Sequence, residues 1–210
     1  MKLSCFFVTL LMVLALVACG EGGKGGEVAV FSDSFDTPGD WRTISDSEVE
    51  IAYADGGLSI EVKTEDRAVW TVAGRKFKDM VVSVDATPVG GSDDNAYGLV
   101  ARHENDHSFY RFEVSGDGYF AVQATKGTLE WEYLVNWTES SAIHQGQETN
   151  HLVVECRGST MIFYANGVEL TRVEDDRYSE GDVGLIAGTF YTDAGTRILF
   201  DNFLVEPLEE

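Results

Sequence analysis

The sequence predicts an all-β fold, a sandwich of two antiparallel sheets, and three observations lead there. Short runs of alternating apolar and polar residues recur along the chain, turn signals separate them about every eight to twelve residues, and no long segment has helical periodicity. The period of two is clearest in three consecutive runs, YGLVAR, SFYRFEVS and YFAVQAT, between Tyr97 and Thr125. Tyr110, Phe112 and Val114 alternate with Arg111, Glu113 and Ser115, so one face is expected to be buried and the other wet. Gly116-Asp117-Gly118 fits a three-residue hairpin closed by a glycine at positive φ. That loop length sets Ser115 opposite Tyr119, Val114 opposite Phe120 and Phe112 opposite Val122. Arg111, Glu113 and Gln123 then share the other face.

Taken in order, the first strand is expected in FSDSFD with Val28, Val30 and Phe35, followed by a turn at Pro38-Gly39 and by Trp41. Glu48 to Ala54 and Leu58 to Val62 form the next pair, with Asp55-Gly56-Gly57 as the loop between them. Ala68 to Val72 and Met80 to Thr87 follow, the latter rich in β-branched residues, and Pro88 to Asn95 reads as a loop by composition. Beyond the three central strands the pattern loosens from Lys126 to Thr149 into longer connections. Strands resume at Asn150 to Cys156 and Thr160 to Ala165. Asn166-Gly167, the strongest two-residue hairpin signal in the chain, leads to Val168 to Val173. Val183 to Gly188 and Arg197 to Val205 close the domain.

The chain has 210 residues and opens with Lys2, an uncharged apolar run from Leu3 to Ala18, then Cys19. The run is short for a membrane span and reads as a signal peptide over residues 1–18. Leu16-Val17-Ala18-Cys19 resembles a bacterial lipobox, which implies cleavage before Cys19 and lipidation of its thiol. An ordinary signal peptide cut elsewhere is the alternative. Residues 19–27 would be the lipidated cysteine and a glycine-rich tether with a reach of about 15 Å, and residues 28–207 the domain. Localisation would then be an exported lipoprotein, anchored at the bacterial cell envelope. Of three cysteines only Cys156 stays in the domain; it shares parity with Leu152 and Val154 and reads as a small buried hydrophobe. Formal charge is −21, a field that repels nucleic acid and anionic lipid headgroups and is compatible with neutral ligands, cations or a salty habitat.

The order of motifs resembles the concanavalin A-like jelly-roll superfamily, in particular laminin-G-like and three-keto-disaccharide-hydrolase-like domains of bacterial surface lipoproteins. The resemblance lies in F-x-D-x-F from Phe31, D-G-G-L from Asp55, Y-G-L-V-A-R from Tyr97 and F-Y-R-F-E-V-S-G-D-G-Y from Phe109. It continues in W-T-E-S-S-A-I from Trp137, N-H-L-V-V from Asn150, Y-A-N-G from Tyr164, G-D-V-G-L from Gly181 and F-D-N-F-L-V from Phe200. It implies a two-sheet antiparallel jelly-roll sandwich. Glycoside hydrolases of family 16 in this superfamily look like E-x-D-x-x-E on one strand, and that pattern is missing; Glu48/Glu50 and Glu130/Glu132 have no third carboxylate at suitable spacing. A structural calcium, as the superfamily often holds, would map to Ser34, Gly56 and Asp201, with Asp93-Asp94 as a second loop candidate. His103 and His107, beside Glu104 and Asp106, read as solvated loop residues before a metal site.

A sugar site needs a planar aromatic and a few fixed polar groups. Arg111, Glu113 and Gln123 form the outward polar set, with Tyr119 nearby and Trp131 as the exposed aromatic, while Trp41, Trp70 and Trp137 are expected in the core. An ordinary cross-strand ion pair is the plain alternative for Arg111 and Glu113. Arg102 stays open: a five-residue loop over 103–107 leaves it at the core's rim, and a four- or six-residue loop turns it outward. The expected function is a non-catalytic carbohydrate-binding surface lipoprotein. A glycoside-acting enzyme of the three-keto-disaccharide hydrolase type and an envelope protein-interaction module are the alternatives.

Overall fold

A computed structural model describes residues 30–125, 127, 130–190 and 195–208. The signal peptide, Cys19, the tether and Val28 lie outside the described residues. The strands are β1 (Phe31–Asp33), β2 (Ile44–Ser45), β3 (Val49–Ala54), β4 (Gly57–Val62), β5 (Arg67–Phe77), β6 (Met80–Gly91), β7 (Asn95–Asn105) and β8 (Ser108–Val114). They continue as β9 (Tyr119–Thr125), β10 (Trp131–Glu139), β11 (Asn150–Arg157), β12 (Thr160–Ala165), β13 (Val168–Glu174), β14 (Gly181–Thr189) and β15 (Thr196–Pro207).

They form two antiparallel sheets. The larger runs β13-β12-β11-β6-β15-β4-β3-β2, with β1 also paired to β15; the smaller runs β10-β9-β8-β7-β14-β5. This is the expected sandwich. The core between the sheets takes the inward parity of each strand, including Leu58, Ile60, Val82, Val84, Leu99, Phe112, Val122, Phe163, Leu185 and Phe200, all 0 % exposed. Each such side chain contributes about 1.5–3 kcal/mol by leaving water. Phe112 meets Phe163 of the opposite sheet edge-on at 5.7 Å. Cys156 is among them, its thiol pushed up to about 12 by burial, as suits a packing residue rather than a nucleophile.

The β8–β9 register is the one that the turn chemistry predicts: Val114 pairs with Phe120 and Phe112 with Val122. Ser115 N donates to Tyr119 O at 2.8 Å, and Gly118 takes φ +98°. Three expectations need correction. The β3–β4 loop is two residues, Asp55-Gly56, both at positive φ, because Gly57 is already paired in the strand, where a Cβ would lie 2.6 Å from the Phe200 carbonyl oxygen. Pro88 to Gly91 is strand rather than loop, paired with β15 beyond Ala86, where the pairing of β6 to β11 ends. Residues 131–139, read as a connection, form β10, an edge strand whose two register shifts blurred its alternation.

Candidate functional site

The outer face of the six-stranded sheet is not the wet surface that the alternation predicts. Arg111, Glu113 and Gln123 do share it, as expected, but Glu113 and Gln123 are only 0 and 1 % exposed. Arg111 pairs across the strands with Gln123. Its Nη2 donates to Gln123 Oε1 at 2.6 Å, and Gln123 Nε2 donates to Glu113 Oε2 at 3.2 Å. Arg111 Nε lies 3.1 Å from the same Glu113 oxygen as an ion-pair contact without hydrogen-bond alignment. Above them Trp131 lies over the Arg111 guanidinium, 3.9 Å from ring centre to carbon. Trp131 also packs edge-on against Phe109 at 5.1 Å and Trp70 at 6.4 Å, which caps a small second apolar cluster of Val100, Phe109 and Ile186. That cap is what shuts water from the outer face at one end of the sheet.

Beside the cap the sheet opens into a cleft of about 300 Å³, lined by the Arg111–Glu113–Gln123 floor with Asp66, Arg67, Tyr133 and Trp137 among its walls. The cleft exists because small residues occupy its base. Ala68 on β5, Gly188 on β14 and Ala96 on β7 follow one another across the sheet by pairing, and all three line it. Gly98, opposite Glu113, has no room for a side chain: a Cβ would sit 2.0 Å from the Phe112 carbonyl oxygen.

Burial pushes the Glu113 carboxyl above its ordinary value, and the Arg111 charge pulls it part of the way back. Its Oε1 is buried without a hydrogen-bond partner, and so is Trp137 Nε1. An acceptor and a donor thus line one cleft unpaired, each desolvated at a cost of about 1–3 kcal/mol that a ligand bearing both a donor and an acceptor would relieve.

Tyr119 is 37 % exposed and stands outside this cleft, four residues before Gln123 on the same face of β9. Trp41 is core, but Trp70 and Trp137 correct the expectation: both are on the outer face, Trp70 as part of the cap and Trp137 as a wall of the cleft. Tyr133 and Trp137 were not legible from alternation, because the register shifts in β10 turn Val135, between them, toward the main core. Arg102, a candidate for the ligand site whose side was left open, falls on the inner of its two alternatives, at the core's rim beside Asp79. It is 1 % exposed and donates to the carbonyls of Tyr178 at 3.0 Å and Gly158 at 2.6 Å, so it ties loops together at the end of the sandwich. A bulge between Ala101 and Asn105, with Arg102 itself at φ +52°, turns it inward.

Three of the four carboxylates in the Glu48/Glu50 and Glu130/Glu132 pairs are met by cations: Glu48 by Arg67, Glu50 by Lys63 at 3.0 Å and Glu132 by Arg177 at 2.8 Å. His103 packs on Phe109 at 5.1 Å and meets Asp106 at 3.3 Å. Among the described residues no group of three or more His, Cys, Asp or Glu is arranged to hold a metal. An ion at Ser34, Gly56 and Asp201 would therefore depend on backbone oxygens. The topology does gather these positions: β1 pairs β15 through Asp33 and Phe203, and β4 pairs it through Leu58 and Phe200, so both approaches end at the register shift after Asp201. The donor set of hard oxygens with one carboxylate fits calcium in type.

No family model matches the chain, and no curated protein does. Solved structures do. The carbohydrate-binding module CBM66 from Bacillus subtilis superposes with a TM-score of 0.65 at 17% identity, over 79% of this chain and 94% of that one. A Bacillus subtilis protein of unknown function with a galectin-like fold gives 0.61 at 11% identity, over 84% and 94%. The catalytic domain of an endo-1,3-beta-glucanase (laminarinase) from Thermotoga petrophila gives 0.58 at 11%, over 86% and 97%. The chain shares their fold, the concanavalin A-like jelly-roll sandwich.

Proposed function

We propose that this protein is a non-catalytic carbohydrate-binding lipoprotein, tied through Cys19 to a membrane of the bacterial cell envelope. The observation that carries the binding reading is the pair of unpartnered buried atoms, Glu113 Oε1 and Trp137 Nε1, in a cleft with aromatic walls. Sugar hydroxyls donate and accept at once, and pyranose faces stack on indole and phenol rings. The fold is also that of a carbohydrate-binding module and of a glucanase domain, which supports a ligand of that class. Purified protein on a glycan array is expected to bind, and Arg111→Ala to weaken binding at least tenfold by undoing the floor.

Glu113 also favours a second reading, a glycoside-acting enzyme of the three-keto-disaccharide hydrolase type, because a carboxyl raised by burial is suited to donate a proton. Against it, two-carboxylate hydrolysis needs a partner acid across the scissile bond, and Asp66, at the rim, is the only other carboxylate lining this cleft among the described residues. Release of reducing or keto-sugar product, abolished by Glu113→Ala, decides for the enzyme. Absence of any glycan signal, with capture of an envelope protein, decides for an interaction module.

A further inference from the structure

The cleft does not end at Trp137. On the other side of that ring a second hollow of about 310 Å³ is lined by Asp94, Ser115, Asp117, Tyr119, Trp137 and Phe190. Trp137 and Phe190 line both hollows and meet edge-on at 5.6 Å, so together they form a low partition between two chambers of one groove. Gln123 in the first chamber and Tyr119 in the second stand on the same face of β9, four residues apart, which is about 13 Å along an extended strand. Ala121, the residue between them on that face, is too small to block the way.

The chambers differ in chemistry. The first offers hydrogen-bonding groups on a buried floor, and the second offers the exposed ring of Tyr119 beside the partition. Their charges are informative as well. The cations are already engaged, Arg67 with Glu48 and Arg111 with Glu113, while Asp66, Glu113, Asp94 and Asp117 line the two chambers. A ligand carboxylate or sulfate would meet Asp66, Asp94 and Asp117, while the cations that line the chambers among the described residues, Arg67 and Arg111, are already paired, and an ammonium over Glu113 would sit beside the Arg111 guanidinium. A hydroxyl suffers neither penalty.

Resting on the carbohydrate reading, we propose that the groove recognises an uncharged glycan of at least two sugar units. One unit is hydrogen-bonded over Arg111, Glu113 and Gln123, and the next is stacked on Tyr119. The Trp137 indole N–H donates to the ligand where it crosses the partition.

The test is a printed array carrying neutral, acidic and amino glycans, each as mono-, di- and tetrasaccharide, probed with wild-type protein, Tyr119→Ala and Trp137→Phe. Neutral disaccharides are expected to bind better than their monosaccharides. Tyr119→Ala should remove that increment, about 3- to 10-fold, and leave monosaccharide binding unchanged. Trp137→Phe keeps a ring in the partition and deletes only the donor, so it should weaken disaccharides while the melting curve stays close to wild type. Equal binding of mono- and disaccharides, or a Tyr119→Ala profile like wild type, overturns the two-chamber groove and leaves the sugar reading standing. Preference for acidic or amino glycans overturns the neutral ligand class. No binding to any glycan overturns both.

Discussion

Replacing Trp131 by alanine tests the construction of the site more directly than any other change. The ring lies 3.9 Å over the Arg111 guanidinium and touches Phe109 and Trp70 edge-on at 5.1 and 6.4 Å. A partly desolvated cation–π contact is worth about 1 kcal/mol, and each ring pair about 1 kcal/mol beyond its area. The loss should therefore be about 3 kcal/mol from these contacts alone, with the ring's lost apolar burial added and any relaxation of the neighbours subtracted. For a chain of 210 residues that is a fall in Tm of about 6–12 °C by differential scanning calorimetry. Trp131→Phe keeps a ring on the guanidinium and should recover most of it. Glycan binding should also drop in Trp131→Ala, because Arg111 gains access to water and no longer holds Gln123 in place. A fall in Tm of less than about 2 °C would refute the claim that this aromatic cap seals the outer face of the sheet.

The other predictions are more local. Glu113 is raised in the fold, so its ionisation works against the native state: the stability it gives is complete below its unfolded value near 4.5 and is lost as pH rises through the folded value. Glu113→Gln should thus gain stability relative to wild type as pH rises above 4.5, measured as the difference in Tm across a pH series; a difference independent of pH removes the buried-carboxylate account. Chelation should lower Tm by several degrees if calcium at Ser34, Gly56 and Asp201 contributes about 1–3 kcal/mol, and an unchanged melt rules the ion out. Cys19→Ser should move the protein from the membrane to the soluble fraction of its native envelope, and continued membrane association would count against a lipid anchor.

Much of the sandwich was legible because its signals are local. The Gly116-Asp117-Gly118 turn, the Asn166-Gly167 hairpin and the alternation through Tyr110, Phe112 and Val114 each depend on neighbours in sequence, and they correctly placed Arg111, Glu113 and Gln123 on one face. The strand at 131–139 escaped notice because its register shifts break the period of two, and with it went Trp137 as a wall of the cleft. The side of Arg102 stayed open in the sequence because a bulge between Ala101 and Asn105, invisible to residue counting, decides it.

Alternation along a strand determines which side chains point the same way, and this chain's sequence carried that much by itself. Whether that side meets water, a cap or a ligand depends on what stands on strands remote in sequence. Only the tertiary structure brought Trp70 and Trp131 together as a cap and set Ala68, Ala96 and Gly188 side by side next to it. A floor is buried or open according to the volume of its lateral neighbours, and those neighbours are chosen by strand order, which no short stretch of sequence encodes.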